Sequence, residues 1–155
     1  LAPPAPANEQ VEVHDVDHVV VAQGGLETFL DGRDGNHRQA AEMAAARGIS
    51  VGVIDAYSIK PLDSATILAA AVASGALVTA EEHSVIGGLG AAVAELVGAE
   101  HPVPVVRVGL QDRFGESGEP AELMQACGLT APHILTAIER AAGLKDAGAG
   151  RRGAR

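Results

Sequence analysis

The chain has 155 residues, the length of one ordinary domain, and a chain of this size buries enough surface to fold without disulfides or metals. Its formal net charge of −9 argues against a nucleic-acid partner, because nucleic-acid-binding proteins normally present a basic face. Aromatic residues make up 2% of the sequence, so stacking platforms for bases or sugars are not expected. The core is therefore expected to consist of Val, Ile, Leu and Ala.

The terminal segments and the single cysteine indicate the domain organisation and the cellular compartment of the protein. Residues 1–14 are predicted to be a linker or disordered, and residues 144–155 a flexible tail. The Pro/Ala-rich start at Leu1 favours one domain of a longer chain. No apolar run approaches the ~20 residues of a membrane helix, no signal peptide is visible, and the single Cys127 suits a reducing compartment. A cytoplasmic protein without a membrane partner is expected, with Cys127 as a small buried apolar residue.

Strand and helix patterns alternate about four times along the chain. Apolar, β-branched runs predict strands at 19–22, 49–56, 75–80 and 103–108. Helices are predicted at 37–47, 65–74, 88–97, from 119 to about 128 and from 130 to about 142, with a further helix start at 26–30. Asp63 or Ser64 is expected to cap the helix at 65–74, and Gly75 to end it. This alternation favours a mostly parallel sheet with helices on both faces.

The most suggestive titratable cluster follows the predicted strand 75–80. Glu81, Glu82 and His83 would lie at a strand end, where a histidine beside carboxylates is able to relay protons or hold a partner's side chain. Adjacent residues of an extended segment point to opposite faces, so the three side chains are not expected to share one pocket. In the alternative interpretation one of them is buried and hydrogen-bonded while the others are solvated.

A glycine-rich turn, Gly87-Gly88-Leu89-Gly90, leads into the predicted helix 88–97. Its open amide groups would suit an anion, but the run matches neither Gly-x-Gly-x-x-Gly nor a P-loop. Close packing of the helix on the sheet explains the glycines as well. A small-anion site and a purely geometric turn therefore both remain open.

A second polar loop follows the last predicted strand and contains Arg113, Glu116 and Ser117. In a doubly wound sheet this loop would lie beside the turn at 81–88. We expect Arg113 to pair with a carboxylate, within the domain or across a subunit contact. The other histidines are scattered without ligand spacing, and Asp34-Gly35-Asn36 reads as a turn, so no metal site is predicted.

Three segments in order carry a family resemblance. These are Ile59-Lys60-Pro61-Leu62-Asp63, the stretch from Val78 to Gly90, and Asp112-Arg113-Phe114-Gly115-Glu116-Ser117-Gly118. From about residue 17 to 142 the chain resembles the C-terminal domain of transketolases, with split and compact transketolases nearest. Related domains occur in 1-deoxyxylulose-5-phosphate synthases and in the β subunits of 2-oxo-acid dehydrogenase E1 components. The domain is accordingly expected at residues 15–143.

The resemblance implies a three-layer α/β fold with about five strands, mostly parallel, one of them antiparallel. It also implies a transferase of sugar phosphate metabolism, which moves two-carbon ketol units with thiamine diphosphate and Mg²⁺ held by other domains. No catalytic, cofactor-binding or metal-binding residue is expected in this chain, which should be inactive alone. Its expected partners are the pyrimidine-binding and diphosphate-binding domains or subunits, in a homodimer or a heterotetramer.

In that family the strand-end loops face the other domains. The candidates for an interface or active-site-rim role are therefore Glu82, His83, Gly87, Gly88, Arg113, Glu116 and Ser117. One departure from the family pattern is the turn Asp31 to Asn36, which interrupts the helix expected after Glu27. The rival interpretations are a module similar to an E1 β subunit that docks a partner protein, and a free-standing small-anion-binding domain.

Overall fold

The structure is a computed structural model that describes residues 18–22 and 35–152. Predictions for residues 23–34, including the helix start at 26–30, lie outside these ranges. The strands are β1 (His18–Ala22), β2 (Val51–Asp55), β3 (Leu77–Ser84) and β4 (Val105–Leu110). The helices are α1 (Asn36–Ala45), α2 (Ser64–Ser74), α3 (Leu89–Glu100), α4 (Pro120–Ala126) and α5 (Ala131–Arg152).

The strands form one sheet in the order β2-β1-β3-β4, and every pairing is parallel. Val20 of β1 lies between Val53 and Val78, which sets the register of the three adjoining strands. All strands therefore end at the same edge, the carboxyl edge of the sheet. The predicted α/β class is confirmed. Within the described ranges the four strands are all parallel, and the expected antiparallel strand stays a prediction.

Helices cover both faces of the sheet and enclose two apolar clusters. Val78 and Ala80 of β3 face α1 and α5, where they pack with Ile138. Leu77, the neighbour of Val78, faces α2 and α3 and packs with Val93. Both clusters are built from Ala, Val, Leu and Ile, as the composition predicts. The result is a three-layer arrangement in which β3 is buried from both sides.

The ends of α2 follow the predicted capping chemistry. The Asp63 carboxylate accepts hydrogen bonds from Thr66 N at 3.1 Å and from Thr66 Oγ1 at 2.8 Å. At the other end Gly75 adopts φ +70°, a left-handed conformation that glycine reaches without Cβ strain. The chain then turns directly into β3. Both predictions for this helix are confirmed.

Four elements extend beyond their predicted ends: α3 reaches Glu100 and β4 reaches Leu110, a little later than predicted, and β3 and α5 extend further. β3 continues past Ala80 to Ser84, because pairing with β4 shifts register at a bulge and resumes where Ser84 meets Leu110. The helix predicted to end near Ala142 continues to Arg152. A Cβ on Gly75 would lie 3.6 Å from Lys145 Cε, so α5 stays in contact with the body of the domain beyond Gly143.

The boundaries predicted for the linker, domain and tail stay predictions. Among the described residues, no helix has the length and apolar character that a membrane crossing requires.

Candidate functional site

The extension of β3 changes the setting of the acidic cluster. Glu81, Glu82 and His83 lie inside the strand rather than after it, and strand alternation sends successive side chains to opposite faces. Glu81 lies on the α3 side and is 2% exposed, whereas Glu82 and His83 are exposed. The interpretation with one buried acid and two solvated neighbours is therefore correct.

The buried Glu81 carboxylate closes the start of α3. Its Oε2 accepts from Leu89 N at 2.7 Å, and its Oε1 accepts from Gly90 N at 2.9 Å. A helix start leaves amide groups without intrahelical partners, and the macrodipole favours a negative charge there. The position considered for an external anion is thus taken by a carboxylate of the chain itself. This finding favours the geometric interpretation of the glycine-rich turn.

The glycines at this junction are required by contact distances. A Cβ on Gly88 would lie 1.9 Å from Glu81 Oε2 and 2.8 Å from Ser84 O. A Cβ on Gly90 would lie 2.7 Å from Thr79 Oγ1. Gly87 adopts φ +77°, the left-handed conformation that completes the turn. The glycine run therefore allows helix, strand and carboxylate to approach closely.

An open groove lies at the carboxyl edge of the sheet, between the end of β3 and the segment from β4 to α4. It encloses about 220 Å³. We call it the strand-end groove. The apolar side chains that line it are Leu110, Phe114, Leu123, Met124 and Leu129, and the charged ones are Glu82, Arg113 and Glu116. Cys127 also lines the groove and is half-buried rather than fully buried.

Arg113 and Glu116 form an exposed ion pair in this groove, as the sequence predicts for Arg113. The hydrogen bond and the negative charge of Glu116 raise the pKa of the Arg113 guanidinium above its ordinary value. Arg113 Nη1 also donates to Ala126 O at 3.4 Å. These contacts tie the loop after β4 to the end of α4.

The structure divides the sequence-predicted site residues into separate groups. Glu82, Arg113 and Glu116 share the strand-end groove. Gly87 and Gly88 belong to the turn before α3 instead. His83 Nδ1 lies 3.2 Å from Ser84 O, and His83 and Ser117 are both exposed outside the groove. Their interface or rim role stays a prediction.

Sequence reasoning missed the apolar side chains exposed at the carboxyl edge. Tyr57 follows β2, Ile86 follows β3 and Phe114 follows β4, with exposed fractions of 70, 63 and 97%. A large side chain in the loop after β2, β3 and β4 was the available signal, because parallel strands end at the same edge. The three side chains share one edge of the sheet, and contiguous exposed apolar patches are typical of interaction surfaces.

The described residues do not form a site for a divalent metal. Within 35–152, no group of three or more His, Cys, Asp or Glu side chains has the arrangement to hold one. The helix start best suited to a diphosphate, at α3, carries the Glu81 carboxylate. The residues present here therefore do not fit a metal–diphosphate group, and no chemical step is assigned to them.

Comparison with known proteins decides the family. The family model of the transketolase C-terminal domain matches residues 36–134. The chain belongs to this family. The matched range runs from the start of α1 into α5 and includes both the Glu81 junction and the strand-end groove.

Two curated relatives show the range of enzymes in which the domain occurs. The chain is 48% identical over 98 residues to the 6-deoxy-6-sulfo-D-fructose transketolase subunit SqwH of Clostridium sp. (strain MSTE9), covering 63% of this chain and 30% of that protein. It is 44% identical over 103 residues to 1-deoxy-D-xylulose-5-phosphate synthase 1 of Geobacter metallireducens, covering 65% of this chain and 16% of that protein.

A solved structure confirms the fold. The chain superposes on a chain described as "Split gene transketolase, inactive beta4 tetramer" with a TM-score of 0.75 and 46% sequence identity. The match covers 83% of this chain and 40% of that chain. This transketolase C-terminal domain therefore spans less than half of each of these three proteins.

Proposed function

We propose that this chain is the assembly domain of a thiamine-diphosphate-dependent transketolase, which transfers two-carbon ketol units between sugar phosphates. Its role is to hold catalytic domains or subunits in place, while those segments bind the cofactor and the sugars. Membership of the transketolase C-terminal domain family supports the reaction class. The relatives named as a transketolase subunit and a split-gene transketolase support an enzyme composed of several chains.

The exposed apolar side chains at the carboxyl edge carry the assembly role. Tyr57, Ile86 and Phe114 are each more than half exposed, on the loops after three different strands. Covering such side chains is favourable, at roughly 25 cal/mol per Å² of apolar surface removed from water. We therefore place the other domains of the enzyme against this edge of the sheet.

The chemistry of the described residues supports an assembly role for this domain and cofactor binding by the other segments. Thiamine diphosphate and Mg²⁺ require oxygen ligands and a diphosphate cradle, and we assign both to the other segments. When bound there, the cofactor supplies the carbanion stabilisation that ketol transfer needs. The buried Glu81 is already hydrogen-bonded to α3, which leaves it a structural role. The expected assemblies are a homodimer or a heterotetramer.

A ketol-transfer assay tests this proposal. The isolated chain and the complete enzyme are each mixed with a ketose phosphate, an aldose phosphate, thiamine diphosphate and Mg²⁺. We expect transfer by the complete enzyme, none by the isolated chain, and loss of both assembly and activity when residues 35–152 are deleted. Transfer by the isolated chain would contradict the proposal. So would an enzyme that stays assembled and active after the deletion.

A further inference from the structure

The strand-end groove combines an apolar lining with an open side. Leu110, Leu123, Met124 and Leu129 all line it, and among these four only Leu129 is buried. The enclosed volume of about 220 Å³ lies below the roughly 300–1,000 Å³ of small-molecule sites. The groove is therefore suited to a single side chain of a protein partner rather than to a complete cofactor.

The segment that supplies most of the groove's lining residues contains more acidic than basic side chains. Between Leu110 and Leu129 the sequence contains Asp112, Glu116, Glu119 and Glu122, but only one basic residue, Arg113, which pairs with Glu116. Glu82 adds a further carboxylate from β3. Asp112, Glu119 and Glu122 are exposed on the loop and helix that supply the lining residues. This segment therefore carries a net negative charge, and we call Glu82, Asp112, Glu119 and Glu122 together the acidic rim.

Phe114 indicates that a protein surface covers this region. Its side chain lines the groove and is 97% exposed, an unfavourable arrangement for the only Phe among the residues described. Interfaces commonly bury aromatic side chains at their energetic centre. Two relatives are longer chains, since the present sequence spans 30% of the SqwH protein and 40% of the split-gene transketolase chain.

We propose that the strand-end groove receives one apolar anchor side chain from the catalytic domain or subunit, and that Lys or Arg residues flanking this anchor meet the carboxylates of the rim. This inference rests on the proposed function, since its occupant is the cofactor-binding segment of the same enzyme. Beyond that function, the inference specifies which side chains of this domain and of the cofactor-binding segment make the contact. The apolar lining provides affinity, and the acidic rim selects a basic partner segment and speeds association.

Charge reversal on the acidic rim tests whether basic residues of the partner meet these carboxylates. In the complete enzyme, Glu119→Lys with Glu122→Lys is compared with Glu95→Lys and Glu100→Lys on α3, which changes the net charge equally at exposed positions. We expect at least tenfold weaker association for the rim pair, and less than twofold change for the α3 pair. Equal weakening by both pairs would overturn the proposal, because the effect would then follow net charge alone. An unchanged melting temperature verifies that each variant is folded.

Photocrosslinking identifies the occupant directly. Phe114→p-benzoylphenylalanine is introduced into the complete enzyme, and the crosslinked peptide is identified by mass spectrometry. We expect a peptide of the cofactor-binding segment with an apolar residue next to Lys or Arg. A crosslink to an acidic segment of that same partner, to a second copy of this chain or to an unrelated carrier protein would overturn the groove proposal.

The two proposals fail in different ways. If the complete enzyme transfers ketol units but the crosslink lies elsewhere, the assembly function stands and the groove inference falls. If the native protein carries no cofactor-binding segment, the proposed function itself fails, and the groove inference fails with it. Phe114→Ala provides a further check, because it should weaken association at least tenfold if Phe114 contributes at the centre of the contact.

Discussion

Glu81 and Glu82 are consecutive carboxylates in one strand, yet they lie in opposite settings. Glu81 is 2% exposed and binds two amide groups at the start of α3. Glu82 is exposed and lines the strand-end groove on the other face. The α3 face of β3 is closed by hydrogen bonds and close glycine contacts. The face with the strand-end groove is open, and the exposed Phe114 lies beside it.

The comparison shows the same residue type buried and hydrogen-bonded on one face of β3 and exposed to solvent on the other. A buried carboxylate is favourable only when its oxygens are paired, and Glu81 meets that condition. A solvated carboxylate contributes little to folding and remains available to a partner. We therefore expect changes on the α3 side to alter the free energy of unfolding, and changes around the groove to alter assembly.

The largest expected loss of stability follows removal of the buried carboxylate. Glu81→Ala leaves the amides of Leu89 and Gly90 without their acceptors, which should lower the free energy of unfolding by about 2 to 4 kcal/mol. Glu82→Ala, at the neighbouring position, should change it by less than about 0.5 kcal/mol. Urea unfolding of both variants measures the contrast. Equal losses would show that the two sides do not differ as described.

Two glycines of α3 provide the next contrast. Gly90→Ala places a Cβ 2.7 Å from Thr79 Oγ1 and should cost about 1 to 3 kcal/mol. Gly98→Ala in the same helix meets no atom within 4 Å and should stabilise by about 0.5 to 1 kcal/mol. Thermal unfolding should therefore shift in opposite directions. A stabilising Gly90→Ala would contradict the close contact between α3 and β3.

A local cap gives a smaller effect for comparison with the long-range cap at Glu81. Asp63→Ala removes the acceptor of Thr66 N at the start of α2 and should cost about 1 kcal/mol. Glu95→Ala, at an exposed position of α3, is the matched control and should change stability by less than about 0.5 kcal/mol. A loss for Asp63→Ala as large as that for Glu81→Ala would remove the distinction between exposed and buried caps.

The smallest effect concerns pH and His37, in the first turn of α1. Burial lowers the pKa of His37 below its ordinary 6.5, Asp55 opposes that shift, and Arg38 adds to it. The unfolded chain then binds the proton more readily, so the contribution of His37 to stability falls as pH drops through 6.5 towards the folded value. The slope from this single group is at most about 1.4 kcal/mol per pH unit.

Replacing the histidine isolates this contribution. Urea unfolding between neutral and mildly acidic pH should show a shallower loss of stability for His37→Gln than for the unchanged chain. Gln39→Ala, at an exposed position of the same helix and without a titratable group, serves as the control and should leave the slope as it is. An unchanged slope in His37→Gln would contradict the burial effect.

Sequence patterns predicted the class of fold and most of its elements, because those depend on local chemistry. Val19–Ala22 and the run at 49–56 are β-branched, and Asp63 and Gly75 carry recognised capping signals. The end of β3 was predicted too early, since Glu81 and Glu82 are polar and resemble a loop. Their extended conformation depends on the pairing of Ser84 with Leu110, which is a contact between distant parts of the chain.

The site was only partly predictable for the same reason. Strand alternation indicated that Glu81 and Glu82 face different ways, but not which of them is buried. The glycine run left both an anion site and close packing open until Glu81 was found on the helix start. The strand-end groove joins residues of β3, β4 and α4, so its apolar lining is visible only after folding. Arg113 and Glu116 were correctly expected in the loop beside it.

The most direct test of the account is the composition of the native protein. Native mass spectrometry, with peptide identification of every chain present, shows whether residues 35–152 occur within a larger polypeptide or complex. The account predicts a species larger than 15.6 kDa that contains a thiamine-diphosphate-binding segment and loses its assembly when the strand-end groove is altered. A lone 15.6 kDa species with no such segment would contradict the assembly role.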